Sequence, residues 1–266
     1  TLDGTLRLSG NGGGAWTYTA GTLDAGTSTV IFNLTNTITG SHTLYNVTIE
    51  SGTQTVNLGD TLTAGGTLTL TDGAINTGTV NARGNIIQAS TFDGGSGLLV
   101  IDGTGNQTFT GTAAIDFGDL PDVTINKLSG TLTLDGTMRI DGHGAGAWTY
   151  TTGTLDAGTS TVIFNGTNTI TGSHTLYNVT IESGTQTINL GDTLTVNGTL
   201  TLLSGNIDDG TVSALGDVIH GAGFDGGTGT LEITGPAART INLTEGGQLP
   251  LVILNSFGQY IGPDGY

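Results

Sequence analysis

The stretch "SHTLYNVTIESGTQT" runs from Ser41 to Thr55 and returns letter for letter from Ser173 to Thr187. Within it Tyr45, Val47 and Ile49 alternate with Asn46, Thr48 and Glu50, the period of two that gives a strand one buried face. The alternation breaks at Ser51-Gly52, where glycine supplies the positive φ of a sharp corner, and then resumes. Leu68 and Leu70 against Thr67 and Thr69 repeat the pattern one unit later. No helical stripe of useful length interrupts it.

Outward from this stretch the duplication spreads over the chain. "TLDAGTSTVIFN" occupies residues 22–33 and 154–165, "GAWTY" starts at Gly14 and Gly146, and "FDGG" starts at Phe92 and Phe224. The offset is 132 throughout and slips by about three only near the end. Each half divides again at Thr-Leu-like starts: Thr5, Thr22, Thr43, Thr61, Thr79, Leu98 and Leu120, then Thr137, Thr154, Thr175, Thr193, Thr211, Thr230 and Leu249. Short strands, glycine corners and a period of about 17 to 22 residues predict an all-β fold, a single-chain parallel β-helix (β-solenoid) of about fourteen coils. Residues 1–136 and 137–266 form two seven-coil blocks in this reading. "LPDVTINKLSGTLTLDGTMRIDG" at 120–142 crosses their boundary without a lapse, which favours one continuous solenoid over two tandem sandwiches. At about 4.8 Å per coil, fourteen coils predict a rod of roughly 65–70 Å. Val100 corresponds to Glu232 between aliphatic neighbours in both halves, so that position is read as outward.

Composition narrows the function. The 266 residues include 48 Gly, 4 Pro and no Cys, with 22 acidic residues against 5 basic ones and a net charge of −17. There is no Gly-X-Y period, so collagen is excluded. A lone lysine, Lys127, leaves no basic patch for a phosphate backbone or an anionic bilayer, so neither nucleic acid nor membrane surface is an expected partner. No apolar run reaches the roughly 20 residues of a membrane span. The opening "TLDGTLRL" matches "TLDGTMRI" at 133–140, so the chain reads as beginning inside a repeat and as a piece of something longer.

Several residues invite a chemical reading. Asp24 and Asp156, Asp60 and Asp192, and Asp93 and Asp225 flank glycines, where Asp caps its own backbone turn. No calcium-loop spacing accompanies them. His42, His143, His174 and His220 are unclustered and read as surface residues at corners, without a zinc spacing. Arg7, Arg83, Lys127, Arg139 and Arg239 are scattered over different coils, which argues against the proton-abstracting site of a polysaccharide lyase. Thr-X-Thr pairs such as Thr53/Thr55 and Thr108/Thr110 raise an ice-binding face, but they are not expected on successive coils. Several Asn-X-Thr sequons, including those at Asn46, Asn106, Asn178 and Asn242, are ordinary in so Asn- and Thr-rich a chain. Trp16 with Trp148 and Phe32 with Phe164 are expected to fill the core. No catalytic, cofactor or metal residue is assigned.

"LYNVTIESGTQTVNLGDTLTAGGTLTL" from Leu44, "LPDVTINKLSGTLTLDG" from Leu120 and "AGTSTVIFNGTNTITGSHTLYNVTI" from Ala157 resemble the repeats of very large bacterial cell-surface proteins. In architecture they also look similar to filamentous-haemagglutinin-type adhesins. The resemblance implies an extracellular, cell-surface location and a non-enzymatic structural role in a fibre, filament or giant adhesin. The alternative is a solenoid module that binds glycan or another surface, with ice binding and lyase activity further behind. Expected partners are other copies of the chain or further repeats of a longer one, and cell-surface glycan in the alternative. Neither end carries an amphipathic helix that could cap a β-helix, so contacts are expected at the ends, with Pro263 and Tyr266 near one of them.

Overall fold

The computed structural model describes residues 1–235 and 239–255, with backbone alone at 10–12 and 142–145. Its 22 strands join one parallel sheet wound into a β-solenoid of about eleven turns. A typical coil is Asn46–Ile49, Thr53–Val56 and Thr61–Ala64, three short strands and therefore three faces. Inward positions are Val, Leu, Ile and Phe at or near zero exposure, because each inner side chain is covered by the coils on both sides. The corner glycines are held by geometry. Gly73 has φ +83°, and a Cβ there would run into the backbone carbonyl of Gly52 one coil away.

Coil length runs beyond the expected range of about 17 to 22 residues. Thr29 pairs with Asn46, a step of 17, but Thr5 pairs with Thr29, a step of 24, and Phe109 with Leu134, a step of 25. The expected starts therefore overcount, giving fourteen coils where the chain makes about eleven turns. Residues 18–28 form no strand, so Thr22 opens no coil, and an excursion at Ala113–Gly118 lengthens another. Eleven turns make a rod of roughly 53 Å at about 4.8 Å each.

The junction between the blocks is covered by one strand, Asp122–Asp156, which bends round its corners and is paired without interruption from Leu132 to Gly142. The column Leu6, Val30, Val47, Leu68, Ile86, Phe109, Leu134 takes six steps through the first block. Its counterpart in the second block is Met138, Val162, Val179, Leu200, Val218, Ile241. The two are not continuous, since Leu134 and Met138 lie four residues apart on the same strand. The second column grows instead on the next face, where Asp93, Asp119 and Arg139 are successive partners. Equivalent residues of the two blocks are thus six turns and one face apart.

The outward reading of Val100 and Glu232 holds, with Leu99, Ile101, Leu231 and Ile233 buried beside them. The phase at Tyr45 does not. Leu44 is wholly buried and Tyr45 is 39% exposed, because the chain turns between the strands His42–Leu44 and Asn46–Ile49. Tyr45 lies over Gly66 of the next coil instead. Trp148 and Phe164 do fill the core, edge to face with ring centroids 6.3 Å apart. Pro263 and Tyr266 lie outside the described residues.

Candidate functional site

Polar side chains enter the rod at its corners. Gln54 Nε2 donates to the carbonyls of Leu34 at 2.6 Å and Ser51 at 2.9 Å, and its Oε1 accepts from Asn36 Nδ2 at 3.0 Å. Gln186 and Asn168 repeat this arrangement in the second block. Gln107 donates to the carbonyls of Ala82 and Gly84. Corner carbonyls turned inward need donors, and amide side chains of the next coil provide them. Lys127 belongs to the same spine. It is buried, and its ammonium donates to Gly103 O at 2.5 Å, Gly105 O at 2.9 Å and Gln107 Oε1 at 2.7 Å. Burial lowers its pKa from the ordinary lysine value, with the Asp102 carboxylate acting the other way. The one lysine is a structural plug.

The described histidines are buried, contrary to the surface reading: His42 and His174 at 8% exposure and His220 at 3%. The reason is an aromatic stack that short-range sequence does not reveal. Trp148 Nε1 donates to His174 Nε2 at 2.9 Å, while His174 Nδ1 lies 2.6 Å from Gly172 O. Trp16, His42 and Gly40 repeat the set. At His174 one ring nitrogen accepts and the other donates, the pattern of the neutral ring. Burial lowers the pKa of His174, opposed by the Gly172 contact and by Asp192. The His143 side chain lies outside those described.

The carboxylates divide into three uses. Asp24 and Asp156 accept from Gly26 N and Gly158 N at 3.0 Å, the expected cap of their own turns. Asp60 and Asp192 reach across coils to Gly40 N and Gly172 N at 2.8 Å, which local turn reasoning misses. Asp93 and Asp225 sit at isolated bridges with Asp119 and Gln248. The charged pairs are also intercoil. Arg139 is buried between Asp119 and Glu182, donating to Glu182 Oε2 at 2.7 Å, and Asp116 N donates to Glu182 Oε1. Burial works against its charge, but the two carboxylates outweigh this and raise its pKa. The equivalent Arg7–Glu50 pair stays largely exposed. Arg139 and Glu182 are 43 residues apart, and only the register brings them together.

Thr61 and Thr63 do stack on Thr79 and Asn81, and Thr193 and Thr195 on Thr211 and Ser213, but the latter array then meets Glu232. Thr108/Thr110 stack on Thr133 and Asp135. Among the sequon asparagines, Asn46, Asn106 and Asn178 cap the next coil by accepting from the Thr67, Thr131 and Thr199 amides. Among the described residues no three His, Asp or Glu side chains come close enough to hold a metal ion. No described helix is long and apolar enough to cross a membrane. Comparison with protein families, with curated proteins and with solved structures returned no match.

Proposed function

We propose that this chain is a non-enzymatic structural segment of an extracellular fibre, filament or giant surface adhesin. The observation that supports it is the strand Asp122–Asp156, which carries the pairing ladder through the block boundary with no loss of register at residues 137–142. Each coil needs only its neighbours, so copying a block lengthens the rod without new contacts being designed. The groups that could do chemistry are engaged in holding coils together: Lys127 on corner carbonyls, Asp60 and Asp192 on amides, His174 on Trp148. The acidic surface keeps such rods soluble by mutual repulsion. Further copies or further repeats stack on the rod in this reading.

Analytical ultracentrifugation and electron microscopy of the 266-residue chain test it. End-to-end or lateral association into filaments is the expected result. A strictly monomeric species with full β signal at tens of micromolar, and no fibres on the grid, overturns the filament reading.

A further inference from the structure

The corner between the third face of one coil and the first face of the next carries a groove that the packing of the rod leaves unexplained. Ala64, Ala82, Ile101 and Ile125 are successive register partners, so the residues that follow them, Gly65, Arg83, Asp102 and Asn126, line one corner over four coils. Three coil steps make the groove roughly 14 Å long. Its volume of about 510 Å³ falls within the range of about 300–1,000 Å³ usual for small-ligand clefts.

Some of the polar groups along this groove are engaged with one another and others are unspent. Arg83 lies along Asp102, with Nε 3.3 Å from Oδ1 and Nη2 3.4 Å from Oδ2, and Asn81 Nδ2 donates to Asp102 Oδ2 at 3.1 Å. That fixes the carboxylate and leaves Arg83 Nη1 without a partner among the described residues, on a side chain 52% exposed. The Asn126 amide and the Thr104 hydroxyl have no hydrogen-bond partner among the described residues, whereas Asn46, Asn85 and Asn106 cap the following coil. Leu128, 81% exposed, forms an apolar rim.

The same corner in the second block follows Val196, Ala214, Ile233 and Leu254. There Leu215 stands for Arg83 and Thr234 for Asp102, and the counterpart of Asn126, Asn255, donates to Glu232 at 3.0 Å. The groove is therefore a departure from the repeat that stacking does not demand.

We propose that this groove binds a short stretch of a neutral glycan. A planar guanidinium, a carboxylate and a primary amide held along a line offer donors and acceptors to adjacent hydroxyls, and an exposed Leu offers a surface for the C–H face of a sugar ring. The ion pair cancels its own charge, and the net charge of −17 disfavours an anionic chain. Among the described residues this set of side chains occurs on the first block and not at the equivalent corner of the second. The site does not depend on the architectural reading, since a rod can be inert along this corner.

Calorimetric and ligand-observed NMR titration of the full chain tests the assignment, with maltohexaose, cellohexaose and chitin hexasaccharide as neutral probes and hexagalacturonate as the anionic one. At least one neutral probe is expected to bind saturably at millimolar concentration or better. Arg83→Gln should weaken it about tenfold. Asn126→Ala and Leu128→Ala should also weaken it with an unchanged melting temperature, because neither side chain supports the fold. Three results overturn the proposal: no saturable binding of any neutral probe, binding of hexagalacturonate alone, or neutral binding indifferent to all three substitutions. Each of them leaves the filament reading standing, because that is read from association and not from sugar.

Discussion

Leu34 holds a left-handed backbone, φ +61°, at the position where the second block places Gly166, φ +66°. A side chain there costs about 1–2 kcal/mol, partly offset by the greater freedom glycine has when unfolded. Leu34→Gly should therefore raise stability by about 0.5–1 kcal/mol in denaturant unfolding, and Gly166→Leu should lower it by more. The two arginine pairs offer a second internal comparison. Arg139→Met removes the cation between the largely buried Glu182 and Asp119 carboxylates and should cost about 3–5 kcal/mol. Arg7→Met breaks an exposed pair and should cost less than about 1 kcal/mol. At His174 the sign follows from a folded pKa lowered below 6.5. The unfolded ring takes up its proton first as pH falls, so the contribution to stability is complete above 6.5 and declines below it, levelling off once the folded ring protonates too. An NMR titration should place the His174 midpoint below 6.5. A His174→Gln chain should lose less stability than the parent as pH falls from 7 to the folded midpoint.

The corner, more than the strand, decides whether coils stack. At Gly73 a methyl group would meet the Gly52 carbonyl of the adjacent coil, whereas at Gly59, φ +89°, it would meet nothing within 4 Å. Gly73→Ala should cost about 2 kcal/mol or more and Gly59→Ala about 1 kcal/mol, so the difference in unfolding midpoints reports the stacking contact separately from backbone strain. Strand character and facing were legible from residues such as Val47, Ile49, Leu68 and Val100, because a period of two is a local property. Coil closure was not. Whether Thr5 pairs with Thr29 or with an earlier residue depends on how much chain the corner at 18–28 absorbs, and Thr-Leu wording is the same in a strand and in a loop. The polar spine was hidden for a related reason. Gln107, Lys127 and His174 sit beside outward-looking Thr and Asn in sequence, and their burial comes from the coil above or below, some twenty residues away. The groove at Arg83 and Asp102 needed the register of four coils before its residues came together.

On the scale of the whole molecule, about eleven turns predict a described rod near 53 Å long. X-ray scattering from a dilute sample should give a maximum dimension of about 55–65 Å for a single chain, the excess over 53 Å coming from corner loops and solvent. A value near twice that, growing with concentration, would report stacking. The offset of one face between blocks has an outcome of its own. Because 132 residues wind six turns and a third, each surface mark that occurs in both blocks points a third of a turn away from its copy and lies roughly 30 Å further along. A succession of identical blocks would carry its pattern like the thread on a screw. Only every third block would face the same direction, about 90 Å apart. Such a rod has no front or back, and a neighbour approaching from any side meets the same markings at a different height.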